Sequence, residues 1–315
     1  MGSIRLFWHQ SKPKGNFGDE LSPWIIEKLS GEKIDYVPLL KLSNDKIISF
    51  KSILKKLYSK EYKIAEFRNF FEWISIFNKQ FIISIGSIIS WGKYKNTIVW
   101  GAGILTEKDE IYPAKFLAVR GKYTQRRLEE LGYEVPSVIG DPALLCNLFF
   151  QPPVSKKYRL GMIPHVFHYE ETKLSINDED TLIINLNDDI EKVIEDILSC
   201  DVTISTSLHG IIVSHTYGVP SLWVSFLELN KNLNGDNVKF KDYFSSVNIQ
   251  EYNAPNFSFS ELQNTTGFIE KIKKDYSTEM LPHKQVIKEI QKKLIQSAPF
   301  KIKEKYRKYN DASES

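Results

Sequence analysis

Cysteine is scarce. Cys146 and Cys200 are the only two in 315 residues, they stand far apart, and each ends an apolar stretch. Two such residues cannot staple a small disulfide scaffold, and they read as buried free thiols of a protein kept in a reducing compartment. Long hydrophobic runs are lacking too. The longest apolar stretch, 81–89, is broken by Ser84, Gly86 and Ser87, far short of the roughly 20 residues that cross a bilayer. The N-terminus runs from Met1-Gly2-Ser3-Ile4 straight into a strand-like segment, without the apolar core of a secretory signal. Charge of one sign is small in excess, with a formal net charge of +3. No basic stripe interleaved with stacking aromatics is present, so a nucleic-acid partner is not expected. These absences describe a cytoplasmic globular protein that can lie on a membrane, at its inner face, but not span it.

What is present is alternation. Ile4–Trp8 is a strand candidate, followed by a Gly/Asn/Lys loop and a helix opening at 21–26, with Pro23 in its first turn and Gly31 as its stop. Phe81–Ile85, Thr97–Trp100 and Phe116–Val119 are short apolar runs of the buried parallel-strand kind, and 122–131 is a helix closed by Gly132. Gln151-Pro152-Pro153 is the candidate linker. Beyond it a second series reads strand 158–163, strand 181–186, helix 190–198 capped by Asn187 or Asp188, strand 201–205, helix 207–217 and strand 220–224. The fold class is α/β, with two Rossmann-like doubly wound domains, 1–152 and 153–315, facing each other across a cleft. A basic, aromatic-rich segment at 41–79 carries a surplus of five positive charges and suits an amphipathic helical pair inserted in the first domain. It serves either as a solvated cover or as a contact with anionic lipid. The last 34 residues, from about 282, read as a final helix and a basic tail.

Ligands of such sheets bind outside the carboxyl ends of the strands, so the chemistry is sought in those loops. Thr203-Ile204-Ser205-Thr206-Ser207-Leu208-His209-Gly210 runs from a strand into a helix. The unpaired N–H groups of that terminus and the hydroxyls of Ser205, Thr206 and Ser207 suit an anion, and His209 beside it suits proton transfer. Arg120, at a strand's carboxyl end, is a clamp for carboxylate or phosphate, or else half of an ion pair. Lys14-Gly15-Asn16-Phe17-Gly18-Asp19 allows close backbone approach, and Asn16 and Asp19 either hold sugar hydroxyls or cap a helix. His165 follows the first strand of the second series. A metal site on His165 and His168 lacks a third ligand, and Gly101-Ala102-Gly103 is only half a dinucleotide fingerprint. Asp141, in Gly140-Asp141-Pro142, caps or bonds across the cleft floor, and Lys239 lies in a weak Lys-Phe-Lys-Asp-Tyr run.

In order, Gly15-Asn16-Phe17-Gly18-Asp19, Trp100-Gly101-Ala102-Gly103, Val119-Arg120-Gly121, Gly140-Asp141-Pro142-Ala143, Ile163-Pro164-His165, Ser207-Leu208-His209-Gly210 with Gly218-Val219-Pro220, and Lys239-Phe240 with Asp242-Tyr243 resemble the polysaccharide pyruvyltransferase family. The resemblance implies two Rossmann-like domains arranged as in a B-type glycosyltransferase, phosphoenolpyruvate as donor, no metal and no other cofactor. It also implies a sugar acceptor in surface-polysaccharide assembly (capsule or exopolysaccharide), taken here as a lipid-linked oligosaccharide. Under it, His209, His165 and Arg120 are catalytic; Arg120, Ser205, Thr206, Ser207, His209 and Lys239 hold the donor; Asn16, Asp19 and Asp141 hold the acceptor. Ser207 departs from the arginine that many members carry there, so the donor must be held by another group, with Arg120, Lys239 or the helix N-terminus as candidates. The competing readings are a nucleotide-sugar glycosyltransferase of the same architecture and an inactive glycan-binding subunit.

Overall fold

A computed structural model of the protein describes residues 2–10, 16–39, 79–229 and 235–311. Nearly all of the basic segment at 41–79 lies outside these residues. The first sheet contains β1 (Ser3–Phe7), β2 (Lys33–Tyr36), β3 (Phe81–Ile83), β4 (Thr97–Trp100) and β5 (Lys115–Ala118), ordered β2-β1-β3-β4-β5 with every pair parallel. The second contains β6 (Tyr158–Ile163), β7 (Thr181–Ile183), β8 (Cys200–Ser205) and β9 (Ser221–Trp223), ordered β7-β6-β8-β9, again parallel. A two-residue pair, β10 (Ser225–Phe226) and β11 (Asn256–Phe257), stands apart from both.

The expected α/β class with two parallel sheets is therefore observed. The same order opens each sheet: the second strand lies outside the first, and the chain then crosses to the other side. This reversal puts a switch point between β1 and β3 in one sheet and between β6 and β8 in the other, and the crevice at such a point is where ligands bind. The central strands are rich in apolar residues because both faces are covered: Phe81, Ile82 and Ile83 are buried, as are Leu160, Met162 and Ile163.

Helix α1 (Phe17–Ser30) starts four residues earlier than its proline suggests. Asn16 caps it by accepting from the Gly18 N–H at 3.2 Å, and Gly31, at φ 77°, ends it. Gly18 and Asp19 are thus helical, not loop, residues. Pro23 falls inside the helix and has no N–H, so the Asp19 carbonyl lacks its usual partner four residues on. The face of α1 made by Leu21, Ile25, Ile26 and Leu29 packs into a core shared with Ile211, Ile212 and Val213 of α5 (Leu208–Thr216), which belongs to the second sheet. One hydrophobic cluster thus joins the two halves.

The other described helices are α2 (Lys122–Glu130), α3 (Tyr169–Ser175), α4 (Ile190–Leu198, N-cap Asp189), α6 (Val238–Ser246), α7 (Thr265–Asp275), α8 (Lys284–Gln296) and α9 (Glu304–Asp311). The basic C-terminal stretch forms two helices, and α8 returns to the first half of the chain. Gln291 Nε2 donates to the Leu144 carbonyl at 2.6 Å, and Trp100 Nε1 donates to the Leu294 carbonyl at 3.1 Å. Among the described residues no helix is long and apolar enough to cross a membrane. Cys146 and Cys200 are free and buried, and burial pushes both thiols up, Cys200 to about 12.

Candidate functional site

The site is assembled from loops at the carboxyl ends of both sheets. His9 follows β1, Gly86 and Ser87 follow β3, Arg120 follows β5, His165 follows β6, and Thr206–His209 follow β8. The two helix N-termini at the switch points meet here. Phe17 donates its N–H to the Leu186 carbonyl at 3.0 Å, tying the start of α1 to the second sheet. His209, in the first turn of α5, lies against the backbone of Gly18. A Cβ on Gly18 would stand 2.1 Å from His209 Nδ1. The glycine is required here by contact, so that an imidazole can sit on the first turn of α1. On the far side of the ring, His209 Nε2 is 3.6 Å from Asp141 Oδ2.

Asp19 is the carboxylate of this cluster. Burial pushes it up to about 6, against the pull of His209, His9 and Lys239. Burial, with the neighbouring Arg120 charge, draws Lys239 down to about 8, and Asp19 opposes that shift. His165 is held at about 4, by burial first and then by Lys239 and His168, and is neutral at physiological pH. Its Nδ1 accepts from the Phe167 N–H at 3.4 Å, so in the neutral ring Nε2 carries the proton. Burial first, and then neighbouring charges, moves Asp19, Lys239 and His165 from their ordinary values, a pattern typical of catalytic sites.

Three assignments change. Arg120 is fully buried, with 0% of its side chain exposed. Nε donates to Asp242 Oδ2 at 3.0 Å, Nη1 to Ser87 Oγ at 2.8 Å and Nη2 to the Ile104 carbonyl at 2.6 Å. Thr124 completes the Asp242 carboxylate through its N–H at 2.9 Å and its hydroxyl at 2.7 Å. All three guanidinium nitrogens are engaged, so Arg120 is a strut under the site and not an open clamp. Gly103 and Gly121 let it in: added Cβ atoms would fall 2.4 Å from Arg120 Cζ and 1.7 Å from the Asp242 carbonyl oxygen.

Second, Ser205 and Thr206 hold loops. The buried Ser205 hydroxyl lies 2.9 Å from the Ile163 and Ser207 carbonyls and accepts from the Ser207 N–H at 2.9 Å, while Thr206 Oγ1 accepts from the His165 N–H at 2.8 Å. Ser207, the N-cap of α5, makes no capping bond with its side chain. Third, Asp141 is buried behind His209 and caps the 142–148 turn by accepting from the Ala143 N–H at 2.9 Å; it does not face an open acceptor site.

Two participants carried little sequence signal. Asp242 meets Arg120 across 122 positions, which no spacing rule anticipates. His9 is the first residue after the strand candidate 4–8, so the carboxyl-end rule points to it. Its ring stands edge-on to Trp91 with centroids 5.6 Å apart. Asp178 accepts from Thr181 and Thr265 hydroxyls and closes a turn. Among the described residues no group of three or more His, Cys, Asp or Glu side chains is placed to hold a metal. Beside the cluster, on another face of α1, a cleft of about 520 Å³ runs between α1 and α4, lined by Phe17, Glu20, Trp24, Asn187, Asp188 and Glu191 among others.

The chain is 36% identical over 174 residues to Uncharacterized protein L143 of Acanthamoeba polyphaga mimivirus, a match over 53% of this chain and 60% of the relative's length. Among solved structures it is similar to E. coli heptosyltransferase WaaC with ADP-2-deoxy-2-fluoro heptose, at 11% identity and a TM-score of 0.34, over 86% of this chain and 99% of that one. The polysaccharide pyruvyl transferase family matches residues 16–226. That span runs from the Asn16 cap through both switch points and the Ser207–Gly210 turn, and the chain belongs to the polysaccharide pyruvyl transferase family.

Proposed function

We propose that the chain transfers the pyruvyl unit of phosphoenolpyruvate to two hydroxyls of one sugar, forming a cyclic ketal. The observation that carries this reading is the convergence of Asp19, Lys239, His165 and His209 on the carboxyl ends of both sheets. The donor is an anion with a carboxylate and a phosphate. Lys239, the N–H groups at the start of α5 and the Nε2–H of His165 supply positive charge and donors for it. The buried Arg120 charge, beside Lys239, adds to the field without touching the donor.

Protonation at C3 makes C2 electrophilic, and the first sugar hydroxyl adds there. The C2–O bond to phosphate then breaks, and the second hydroxyl closes the ring. The two hydroxyl protons end on C3 and on phosphate. His209 delivers the proton to C3, and Asp19, ionised above about 6, takes the proton from the attacking hydroxyl. Asn16 offers its side-chain N–H groups to the acceptor. Further sugars of the acceptor lie along the cleft beside α1, where Trp24 offers an aromatic face and the carboxylates favour neutral or cationic sugars over anionic ones. We place that acceptor on a lipid carrier at the inner face of the cytoplasmic membrane, as the basic 41–79 segment suggests.

The test is release of phosphate from phosphoenolpyruvate in metal-free buffer, with neutral, amino and acidic glycosides and a lipid-linked oligosaccharide, and mass spectrometry of each product. Expected is a mass gain of one pyruvate less one water on neutral or amino acceptors. Absence of phosphoenolpyruvate binding overturns the reading. The pH profile has a defined sign. kcat/KM for phosphoenolpyruvate, followed from about pH 5 to about pH 10, should rise as Asp19 ionises and fall as Lys239 loses its proton. The inflections are expected near 6 and 8, the positions to which burial moves the two groups. Asp19→Asn should remove the acid limb, and Lys239→Arg should move the alkaline limb upward. Limbs unmoved by these changes would assign the titrations to other groups.

A further inference from the structure

Two buried polar atoms in the protein face each other without a hydrogen-bond partner: Asp141 Oδ2, from the first half of the chain, and His209 Nε2, from the second. Asp141 already uses Oδ1 to cap Ala143. Its remaining oxygen is enclosed, and leaving a buried acceptor unsatisfied is costly, the more so when it is charged. The neighbouring Tyr243 and Cys146 stay uncharged, because burial and then the Asp141 charge push both groups up. Tyr243 Oη is 3.0 Å from His215 Nδ1. Among the described residues, the imidazole of His209 is the basic side chain within ion-pair reach of Asp141. The 3.6 Å separation exceeds the roughly 2.7–3.2 Å of a made hydrogen bond, as is common for catalytic pairs before substrate binds.

We infer that Asp141 is a positioning residue for His209. It holds a proton on Nε2 and leaves Nδ1, at the start of α1, as the nitrogen that takes up the proton His209 delivers to C3, while Gly18 fixes how close the ring comes. The chemistry supports this tautomer, since a carboxylate accepts and cannot donate, so the nitrogen facing it must carry hydrogen. Proton exchange with the reacting groups then takes place at Nδ1, the nitrogen that faces Gly18. Gly18 is helical with no left-handed φ, so alanine there suits the helix itself, and the ring is what its Cβ would meet first.

The activity part of the test rests on the proposed reaction; the spectroscopic part does not. Asp141→Asn keeps an oxygen for the Ala143 cap and turns an amide toward His209, which separates the capping role from the positioning role. The tautomer of His209 is read by ¹⁵N NMR on the unliganded full chain. Expected are an Nε2–H tautomer in the wild type and its loss in Asp141→Asn. kcat should fall about 10–100-fold, with KM for phosphoenolpyruvate little changed, as when an outer partner of a functional histidine is removed. Gly18→Ala should keep the fold and shift the His209 ring resonances. An Nδ1–H tautomer in the wild type, or Asp141→Asn with an unchanged tautomer, overturns the inference. If phosphoenolpyruvate is not turned over at all, the proposed function fails while the tautomer measurement still decides the role of Asp141.

Discussion

His209→Ala is expected to lower turnover of phosphoenolpyruvate by about 10²–10⁴-fold, the range for a well-placed proton-transfer group, while the donor still binds. The ring sits where both halves of the chain meet, in the first turn of α5, on the backbone of Gly18 and in front of Asp141, with 13% of its side chain exposed. The loss should fall on kcat. Under the proposed reaction the donor is held chiefly by Lys239, His165 and the α5 terminus, all of which the substitution leaves in place. A structural role must be separated out, because alanine also strands the Asp141 carboxylate. His209→Gln answers this, since its amide can still donate to Asp141 but does not exchange protons near neutrality. Both variants should show the same kinetic defect, and Gln should melt closer to wild type. Near wild-type kcat in either variant removes His209 from the proton path.

Much of this arrangement could be read before the fold was known, and the gaps have physical causes. Tyr158–Ile163 and Thr97–Trp100 were legible because buried parallel strands are short, mostly apolar runs with polar or glycine residues around them. His209 was legible because a strand followed by a Ser/Thr turn and a helix is a local pattern. The start of α1 lies upstream of the one the sequence marks: Pro23 is a strong first-turn signal, yet the Asn16 cap and the seat of His209 on Gly18 set the helix start at Phe17. Asp141 reads equally well as a cap, a cleft-floor group or a ligand, and only the position of His209 decides between them. The return of α8 to Trp100 and Leu144 had no signal, since an amphipathic helix shows that it is covered but not by what.

The same limit explains Arg120 and leads to the second large effect. An arginine at a strand end looks the same in sequence whether it faces a ligand or a buried carboxylate. Here Nε lies 3.0 Å from Asp242 with no exposed side-chain surface on either partner. Burying two ions is costly, and their mutual attraction repays that only while both are present with their hydrogen bonds made. Asp242→Ala leaves the guanidinium buried beside Lys239 with its main partner gone, and strands the Thr124 donors. The expected cost is about 3–5 kcal/mol, a fall in Tm of around ten degrees for a chain of this size. Arg120→Met strands the carboxylate and should cost a similar amount. The double variant Arg120→Met with Asp242→Leu removes both charges and should recover a large part of it, as coupled sites do. Thermal melts of the three variants measure the coupling directly. Had Arg120 been a donor clamp, Arg120→Met would leave Tm unchanged and raise KM for phosphoenolpyruvate alone. A strut instead lowers Tm first, and any loss of activity follows the displacement of Ser87 and Ile104, to which its guanidinium donates.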